Sequence, residues 1–370
     1  MSIPAVKFNV DDRPEFYQVL RKRVNKHFQE NNISKHANFE MIFKTVFMVC
    51  LYFVPLALML TGVVSSLWPV LLMWTLMGFG MSGIGLSVMH DANHGSYSSN
   101  KKVNDALGSI IHFIGGYREN WRIQHNVLHH SFTNIEGLDE DIKISFFRFS
   151  PDQERNSVHK YQAYYAPFLY ALMTLYWSTT KDFEQIVRYK KKDLLKGQGL
   201  SYARAFRQVL FNKIMYFTLI LILPLILIAL PWWQILIGYV IMHFICGLAM
   251  AFIFQPAHVI TDTHFYDAER NSSMENNWAI HQLKTTTNFA NKSGLFSWFV
   301  GGLNFQIEHH LFPNICHVHY KKIAKIVKST TEEFNLPYYQ YRTYLGALKG
   351  HFSMLNQLGT GTYEKSLVNI

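Results

Sequence analysis

The sequence has few cysteines and few charged residues for its length. Only three of its 370 residues are cysteine, too few for a disulfide framework or a cysteine-based zinc site. Charged residues make up 16% of the chain, against roughly 25% in typical soluble domains. This scarcity argues against disorder and against a highly charged nucleic-acid-binding protein, so no nucleic-acid partner is expected. Residues 1–40 lack the apolar core of a cleavable signal peptide, and we expect a reducing compartment.

Long apolar stretches are what the sequence has in abundance. Windows without any charge cover residues 45–64, 67–89 and 214–257. The last window is long enough for two helices of about 20 residues each, with Pro231-Trp232-Trp233 at the turn between them. Four transmembrane helices are therefore predicted, at about 41–64, 67–89, 212–230 and 232–256.

The basic residues indicate how these helices are oriented. The two short loops near 63–67 and 230–233 hold none of the 35 Lys and Arg residues, which all lie in 1–44, 90–213 and 258–370. The positive-inside rule then places both termini and the middle segment in the cytoplasm. A further charge-free segment, 161–180, is rich in tyrosine and is expected to lie in the membrane plane or to be re-entrant.

Histidines cluster in three short windows. The windows HDANH (90–94), HNVLHH (125–130) and QIEHH (306–310) hold seven of the 18 histidines. On a helix, residues four apart share a face, so His90 and His94 point the same way, as do His125 and His129, while His130 is rotated by one residue and could reach a second ion. Gln306, His309 and His310 form a set at positions i, i+3 and i+4. Seven imidazoles exceed the need of one ion, which favours two metals close together, and all-nitrogen sites suit Zn, Cu, Fe or Ni. Because an even number of spans separates the windows, all three can meet at one cytoplasmic face.

Histidines outside the windows are interpreted more simply. We expect ordinary surface positions for His27, His36, His159, His317, His319 and His351. His243 lies within the fourth predicted helix, where it is either functional or a neutral ring bonded to a neighbouring helix.

The three windows resemble the histidine boxes of the membrane fatty acid desaturase family in order, spacing and placement around two hairpins. The stretch GGLNFQIEHHLFP from Gly301 to Pro313 is similar to the third box of front-end desaturases, in which glutamine replaces the first histidine, as Gln306 does here. The resemblance covers roughly residues 40–335.

The resemblance implies a di-iron centre with O2 as co-substrate. The implied metal ligands are His90, His94, His125, His129, His130, His258, His309 and His310, with Gln306 as a weak or water-mediated ligand. No further catalytic residue and no organic cofactor is implied. Asp91, Asn126 and the acidic run 137–141 look like groups that orient the imidazoles. The roles of His264 and His281 are left open.

The implied reaction removes two hydrogens from an unactivated acyl chain and leaves a cis double bond, for which side chains alone lack the chemistry. The substrate would be an acyl-CoA or acyl-lipid, and front-end membership implies a position between an existing double bond and the carboxyl end. The chain lacks the His-Pro-Gly-Gly motif of a fused cytochrome b5 domain. We therefore expect the electron donor to be a separate ferredoxin or cytochrome b5 with its reductase. The basic segments 21–26 and 319–328 would face either that donor or anionic lipid.

Two alternatives remain at this point. A hydroxylase of the same di-iron architecture, acting on a fatty acyl chain or sphingolipid, would share the hydrogen abstraction and differ in the fate of the radical. A histidine-lined metal transporter belongs to another class, but transport sites tend to lie near the membrane midplane, whereas these clusters lie beyond the helices.

The predicted fold is an all-α membrane protein. Its four transmembrane helices form two hairpins topped by a cytoplasmic helical cap that holds the di-metal site. We divide the chain into a cytoplasmic N-terminal segment (1–40), a desaturase domain (41–335) and a cytoplasmic tail (336–370). The expected location is a bacterial plasma membrane, with the termini and the active site on the cytoplasmic side.

Overall fold

The computed structural model describes residues 6–144, 146–268 and 273–363, and these are mostly helical. The α-helices are α1 (Pro14–Glu30), α2 (Phe39–Leu60), α3 (Leu67–Gly83), α4 (Met89–Asn93), α5 (Lys101–Gly108), α6 (Arg118–Trp121), α7 (His130–Phe132), α8 (Gln162–Tyr176), α9 (Asp182–Lys191), α10 (Tyr202–Phe217), α11 (Leu223–Leu227), α12 (Trp232–His258), α13 (Trp278–Thr285), α14 (Gly294–Phe299), α15 (Gln306–Leu311), α16 (Tyr320–Glu333) and α17 (Tyr344–Thr360).

Shorter elements join these helices. The π-helical segments are Ile84–Val88, Arg122–His129, Trp177–Lys181 and Thr218–Ile222, and the 3-10 segments are Ser109–Ile114, Ser157–Tyr161, Lys196–Gln198 and His317–His319. The strands are β1 (Lys7–Phe8), β2 (Ile135–Glu136), β3 (Tyr266–Asp267), β4 (Ser273–Met274), β5 (Asn288–Phe289) and β6 (Gln340–Tyr341). They pair in parallel as β1 with β4, β2 with β3 and β5 with β6.

Four helical runs in the described residues are long and apolar enough to cross a membrane, as predicted. They are Phe39–Leu60, Leu67–Asn93, Tyr202–Leu227 and Trp232–His258. The third begins ten residues before the predicted start, because the Ser201 side chain accepts from the Arg204 amide and caps the helix there. The second continues past Met89, so that His90 lies inside the helix.

Glycines let these long helices approach closely. A Cβ on Gly80 of α3 would lie 2.6 Å from the backbone nitrogen of Tyr52 in α2. A Cβ on Gly247 of α12 would lie 2.5 Å from the carbonyl oxygen of Ala171 in α8. Small residues at such crossings bring backbones together in membrane bundles. The helix α8, which covers most of the segment 161–180, thus packs on α12; its predicted in-plane orientation stays a prediction.

The terminal helices pack against the rest of the chain. The apolar face of α1, with Phe16 and Leu20, is buried with Ile323 and Val327 of α16 in one cluster. The helix α17 packs on α8 and α12 at the other end of the sequence, where Leu355 is fully buried. The domain boundaries at 40 and 336 stay a prediction. The helices α1 and α17, which lie outside those boundaries, nevertheless pack against the elements that carry the histidines.

Four isolated histidines are buried, so the prediction of surface positions was wrong for them. They are His159, His317, His319 and His351, each at most 6% exposed. His317, His319 and His351 find hydrogen-bond partners in distant parts of the chain, of which sequence spacing gives no sign. His159 instead accepts from the backbone N–H of Asn156, three residues earlier, and caps its own helical turn. His27 and His36 are half-buried.

His243 takes the second of the two roles considered for it. Its Nδ1 lies 3.0 Å from the hydroxyl of Thr174 in α8, and its Nε2 lies 2.8 Å from the hydroxyl of Tyr216 in α10. A buried imidazole with both nitrogens bonded is satisfied as a structural group that ties α12 to two neighbouring helices.

Candidate metal centre

Four separate segments bring the histidines of the three windows together. His90 lies in α4 and His94 is its C-terminal cap. The second window occupies the π-helical segment and the start of α7, and the third occupies α15. His258, the last residue of α12, completes the set. All eight histidines predicted as ligands therefore meet in one buried region; His94 alone is partly exposed.

The second window has π-helical rather than α-helical geometry, which the spacing did not predict. A π-helix closes hydrogen bonds between residues five apart and often occurs at functional sites. His125 and His130 are five apart, and their Nε2 atoms lie 3.3 Å from each other. The rings of His125 and His129 also stack, with centroids 5.3 Å apart. Widening the turn therefore lets three imidazoles of one short helix face the same region.

The ring nitrogens fall into two main groups. We call His90, His94, His125 and His309 the four-histidine group, and His129, His258 and His310 the three-histidine group. Within each group, one nitrogen from every ring lies within 4.8 Å of all the others. His130 lies between the groups, because its nitrogen converges with those of His309 and His310. The arrangement has room for two metal ions side by side.

Four of the eight rings use Nδ1 to bond outward. The contacts are His129 Nδ1 to both carboxylate oxygens of Asp139 at 3.1 Å, His258 Nδ1 to the Thr285 carbonyl oxygen at 3.2 Å, His310 Nδ1 to Oε1 of Gln282 at 2.8 Å, and His309 Nδ1 to the Tyr320 hydroxyl at 3.2 Å. An acceptor at Nδ1 holds the proton there and leaves the lone pair on Nε2.

The Nε2 atoms converge, and four of them lack any hydrogen-bond partner among the described residues. These four, from His94, His129, His258 and His310, are buried. The Nε2 atoms of His130 and His309 lie 3.0 Å apart. Neutral rings with their protons on Nδ1 turn lone pairs toward each other, which is unfavourable in a buried site unless a cation lies between them. The donor set therefore fits metal ions.

Electrostatics keep most of these rings neutral. Burial lowers the pKa well below its ordinary value, and neighbouring imidazoles lower it further, for His94, His125, His130, His309 and His310. Neutral imidazole is the form that binds metal. His129 differs, since burial opposes its protonation but the charges of Asp139 and Asp141 outweigh that effect and raise its pKa.

The acidic groups predicted to orient the imidazoles lie beside them. Asp91 Oδ1 is 3.5 Å from His90 Nδ1, and Asp139 anchors His129. Asp141 Oδ2 lies 3.7 Å from His125 Nδ1. Asn126 acts one step away, because its amide donates to the Asn93 carbonyl and ties the π-helical segment to α4.

Three orienting residues were missed. Gln282, Thr285 and Tyr320 contact His310, His258 and His309 and come from α13 and α16. None lies in a histidine window, and no local spacing distinguishes them from other polar residues of amphipathic helices.

Gln306 and the two unassigned histidines differ in position. Gln306 is fully buried, and both polar atoms of its amide lack a hydrogen-bond partner among the described residues. His281 donates from Nε2 to the Thr133 carbonyl oxygen, and His264 faces the Tyr339 hydroxyl. Neither ring contributes to the convergent groups in the described part of the chain, and burial lowers the pKa of His281 to about 4.

Aromatic rings line one side of the region. Trp121 packs against His125 with ring centroids 4.6 Å apart and also contacts the rings of His90 and His94. Phe254 of α12 lies 5.4 Å from His125. These apolar surfaces restrict water near the nitrogens, which strengthens electrostatic interactions there.

A model of the fatty acid desaturase family matches residues 66–342, which include all three histidine windows. The chain belongs to the fatty acid desaturase family. It is 34% identical over 366 residues to an sn-1 linoleoyl-lipid 6-desaturase of Arthrospira platensis, covering 95% of both chains. A protein of the same name from Synechocystis sp. is 33% identical over 96% of this chain and 99% of its own. An acyl-lipid (8-3)-desaturase of Physcomitrium patens is 34% identical over 94% of this chain and 72% of its own.

Membership decides the class of protein. The chain is an oxidoreductase of the membrane, and its family implies a metal centre and the use of O2. The clustered histidines fit the family's histidine boxes. The transporter alternative is not supported, because the family and the relatives are desaturases.

Proposed function

We propose that this desaturase is a di-iron enzyme that places a cis double bond in the acyl chain of a membrane lipid or acyl-CoA. The observation that carries the proposal is the convergence of eight imidazoles, seven in two adjacent groups and His130 between them, with four inward Nε2 atoms that lack a partner among the described residues. Relatives named for linoleoyl-lipid and acyl-lipid substrates favour a lipid-esterified chain over acyl-CoA.

Each group would hold one iron ion. The four-histidine group supplies four nitrogens, and the three-histidine group supplies three, beside which Gln306 offers its amide. His130 lies where it would serve either ion. Bound there, the pair supplies the O2-dependent oxidation of an unactivated C–H bond, for which side chains lack the chemistry. Imidazole sites suit iron, although they also suit zinc and copper.

The residues of the chain prepare the site for that chemistry. Asp139, Gln282 and the Thr285 carbonyl hold their rings in one tautomer, so that no proton must leave Nε2 before a metal binds. Trp121 and Phe254 exclude water from the region where a reactive centre would otherwise be quenched.

The position of the new bond is proposed to be of the front-end type, between an existing double bond and the carboxyl end. The third window with Gln306 supports this, as do relatives named 6-desaturases and (8-3)-desaturases. The active site and both termini are proposed to face the cytoplasm of a bacterial plasma membrane, on the distribution of Lys and Arg.

Electrons are proposed to come from a separate ferredoxin or cytochrome b5. The basic segments of α1 and α16 form one surface, because Arg23 of α1 bonds Thr330 and Glu333 of α16. At the start of α16, the buried Tyr320 contacts His309, so this surface lies close to the four-histidine group. An acidic donor would dock there. A variant in which Lys321, Lys322 and Lys325 are all replaced by Glu tests this docking. If its turnover with the electron donor equals that of the wild type, the surface faces lipid instead.

The lipid profile of a host that expresses the chain tests the proposal. The host is fed an 18-carbon diene, supplied with a ferredoxin and its reductase, and its double bonds are located by mass spectrometry. We expect a new double bond on the carboxyl side of the existing ones, absent from a His309→Ala/His310→Ala variant. A hydroxylated chain would instead support the hydroxylase alternative. Well-expressed protein that forms no new lipid and holds no iron would contradict the proposal.

A further inference from the structure

A lysine of the first membrane helix is buried behind the four-histidine group. Lys44 of α2 is 1% exposed, and its ammonium lies 2.6 Å from Nε2 of His317 and 5.2 Å from the centre of the Trp298 ring. A buried ammonium needs an acceptor and a compensating negative charge. The ring of Trp298 offers part of that stabilisation through its π face. The negative charge is on the far side of His317.

The protons of this contact can be assigned from its partners. An ammonium only donates, so Nε2 of His317 accepts from Lys44 and the neutral ring carries its proton on Nδ1. That Nδ1 lies 2.8 Å from Oδ2 of Asp91, and the backbone N–H of His317 donates to the same oxygen at 3.1 Å. His317 therefore connects a buried cation to a buried carboxylate without being charged itself.

The other oxygen of Asp91 faces the metal-binding rings. Oδ1 lies 3.5 Å from Nδ1 of His90, an electrostatic contact rather than a hydrogen bond, because this Nδ1 has no hydrogen-bond partner among the described residues. The Nε2 of His90 lies 3.2 Å from Nε2 of His125. Asp91 is 1% exposed, so its orientation is set by these partners rather than by water. A carboxylate behind a metal-binding imidazole fixes the ring orientation and leaves its lone pair on the inward nitrogen.

The same residues could be mistaken for a third metal site. One ligand atom each of Asp91, Cys316 and His317 lies within 4.8 Å of the other two. However, the Lys44 ammonium already supplies the cation at His317, so that ring has no lone pair free for a metal. The cluster is a support for the neighbouring group rather than a site of its own.

We propose that Lys44 and His317 are positioning residues that hold Asp91 against His90 and thereby strengthen metal binding in the four-histidine group. The inference rests on the proposed di-iron centre. It assigns a functional role to two residues outside the histidine windows, on α2 and on the segment after α15. The chain Lys44–His317–Asp91–His90 joins the first membrane helix to the metal centre.

Lys213 provides a matched control for Lys44. It is also a buried lysine in a membrane helix, and it bonds Asp182 and the carbonyl oxygens of Gly115 and Trp177. Its removal also leaves a buried carboxylate without its cation, but Asp182 does not contact the histidine groups. A general loss of stability should therefore appear in both Lys44→Met and Lys213→Met, whereas a loss of metal should appear only in Lys44→Met.

The experiment measures iron retained by purified full-length protein during dialysis against a chelator, together with thermal unfolding. We expect Lys44→Met to lose iron about 10-fold to 100-fold faster than the wild type, the range found for residues that orient metal ligands. Lys213→Met should retain iron like the wild type at a similar loss of thermal stability. Equal retention in the two variants would overturn the proposal. A wild type without iron would overturn the di-iron centre instead.

Variants of His317 test the chain if Lys44→Met does not fold. In His317→Gln, the amide can donate to Asp91 through its nitrogen and accept from Lys44 through its oxygen, whereas His317→Leu can do neither. We expect His317→Gln to preserve both iron retention and the optical spectrum of the cobalt-substituted protein. We expect His317→Leu to lower iron retention and to change that spectrum. If Gln and Leu behave alike, His317 only fills space and the proposal is wrong.

Discussion

The two groups of imidazoles differ in how many rings they contain and in how firmly each ring is held. The four-histidine group has more nitrogens, but two of its outer contacts are longer, 3.5 Å from His90 to Asp91 and 3.7 Å from His125 to Asp141, while His309 bonds the Tyr320 hydroxyl at 3.2 Å. In the three-histidine group every Nδ1 has a hydrogen-bond partner between 2.8 and 3.2 Å away. The difference indicates that a metal site with fewer ligands depends more on hydrogen bonds that fix the orientation of each ring, whereas a site with more ligands tolerates longer contacts behind its rings.

The largest expected effect comes from removing one ring of each group. His129→Ala reduces the three-histidine group to two rings, whereas His94→Ala leaves three rings in the other group. We therefore expect His129→Ala to hold one metal per chain and His94→Ala to hold two when metal is in excess, although both abolish desaturation. Elemental analysis of the purified variants measures this. His243→Leu, which removes a buried ring outside both groups, should keep both metals. Identical metal contents in His129→Ala and His94→Ala would contradict the comparison.

The outer contacts should differ in the same sense. Asp139 accepts from His129 at 3.1 Å, whereas Asp141 lies beside both groups, 3.5 Å from His129 and 3.7 Å from His125. Asp139→Asn is expected to weaken metal binding by about 10-fold or more, and Asp141→Asn by less, because orienting hydrogen bonds of ligands are worth about 10-fold to 100-fold in affinity. Titration against a competing chelator gives both values. A greater effect of Asp141→Asn would show that the shorter contact of Asp139 does not control metal binding.

A substitution at Gln306 can reduce the difference in ligand number between the three-histidine and the four-histidine group. The buried amide belongs to the same short helix as His310 and lies near the His258 ring without a hydrogen bond to it. Gln306→His should add a fourth imidazole to the three-histidine group and slow the loss of its metal, whereas Gln306→Ala should speed that loss by a few-fold, less than about 10-fold. The rate of metal release to a chelator measures both. Faster release from Gln306→His than from Gln306→Ala would show that this position does not reach the metal.

The smallest expected effect is a difference in pH dependence. Asp139 and Asp141 raise the pKa of His129, while burial lowers that of His94, His125 and His309. A raised pKa means that His129 takes up a proton at higher pH, and a protonated imidazole cannot bind metal. As the pH falls, the three-histidine group should therefore lose its metal first. Metal content measured stepwise downward from about pH 7.5 should show two separate losses, the second at a pH well below the value of about 6.5 at which an unperturbed histidine titrates. A single loss, with both metals leaving together, would contradict this assignment.

The sequence predicted those features that local spacing controls. Charge-free windows predicted the four long helices, and residues four apart predicted that each histidine window would present its rings together. The placement of His258 came from the family resemblance, because a single histidine after a membrane helix has no spacing pattern of its own.

Features that depend on distant contacts were not predictable in this way. The π-helical turn at Arg122–His129 has no distinctive residue pattern, and Gln282 reaches His310 from 28 residues away. His317 was expected at the surface, yet it lies 226 residues from its partner Asp91 and is buried. Isolated polar residues are usually exposed, so burial of this kind is decided by tertiary packing rather than by local sequence.

The metal content of the purified, active wild-type protein tests the central claim most directly. Elemental mass spectrometry of the protein, prepared without added chelator, measures both the identity and the number of bound metals. The two groups of imidazoles predict two iron ions per chain. Active protein with a single metal, or with zinc and no iron, would contradict the di-iron centre.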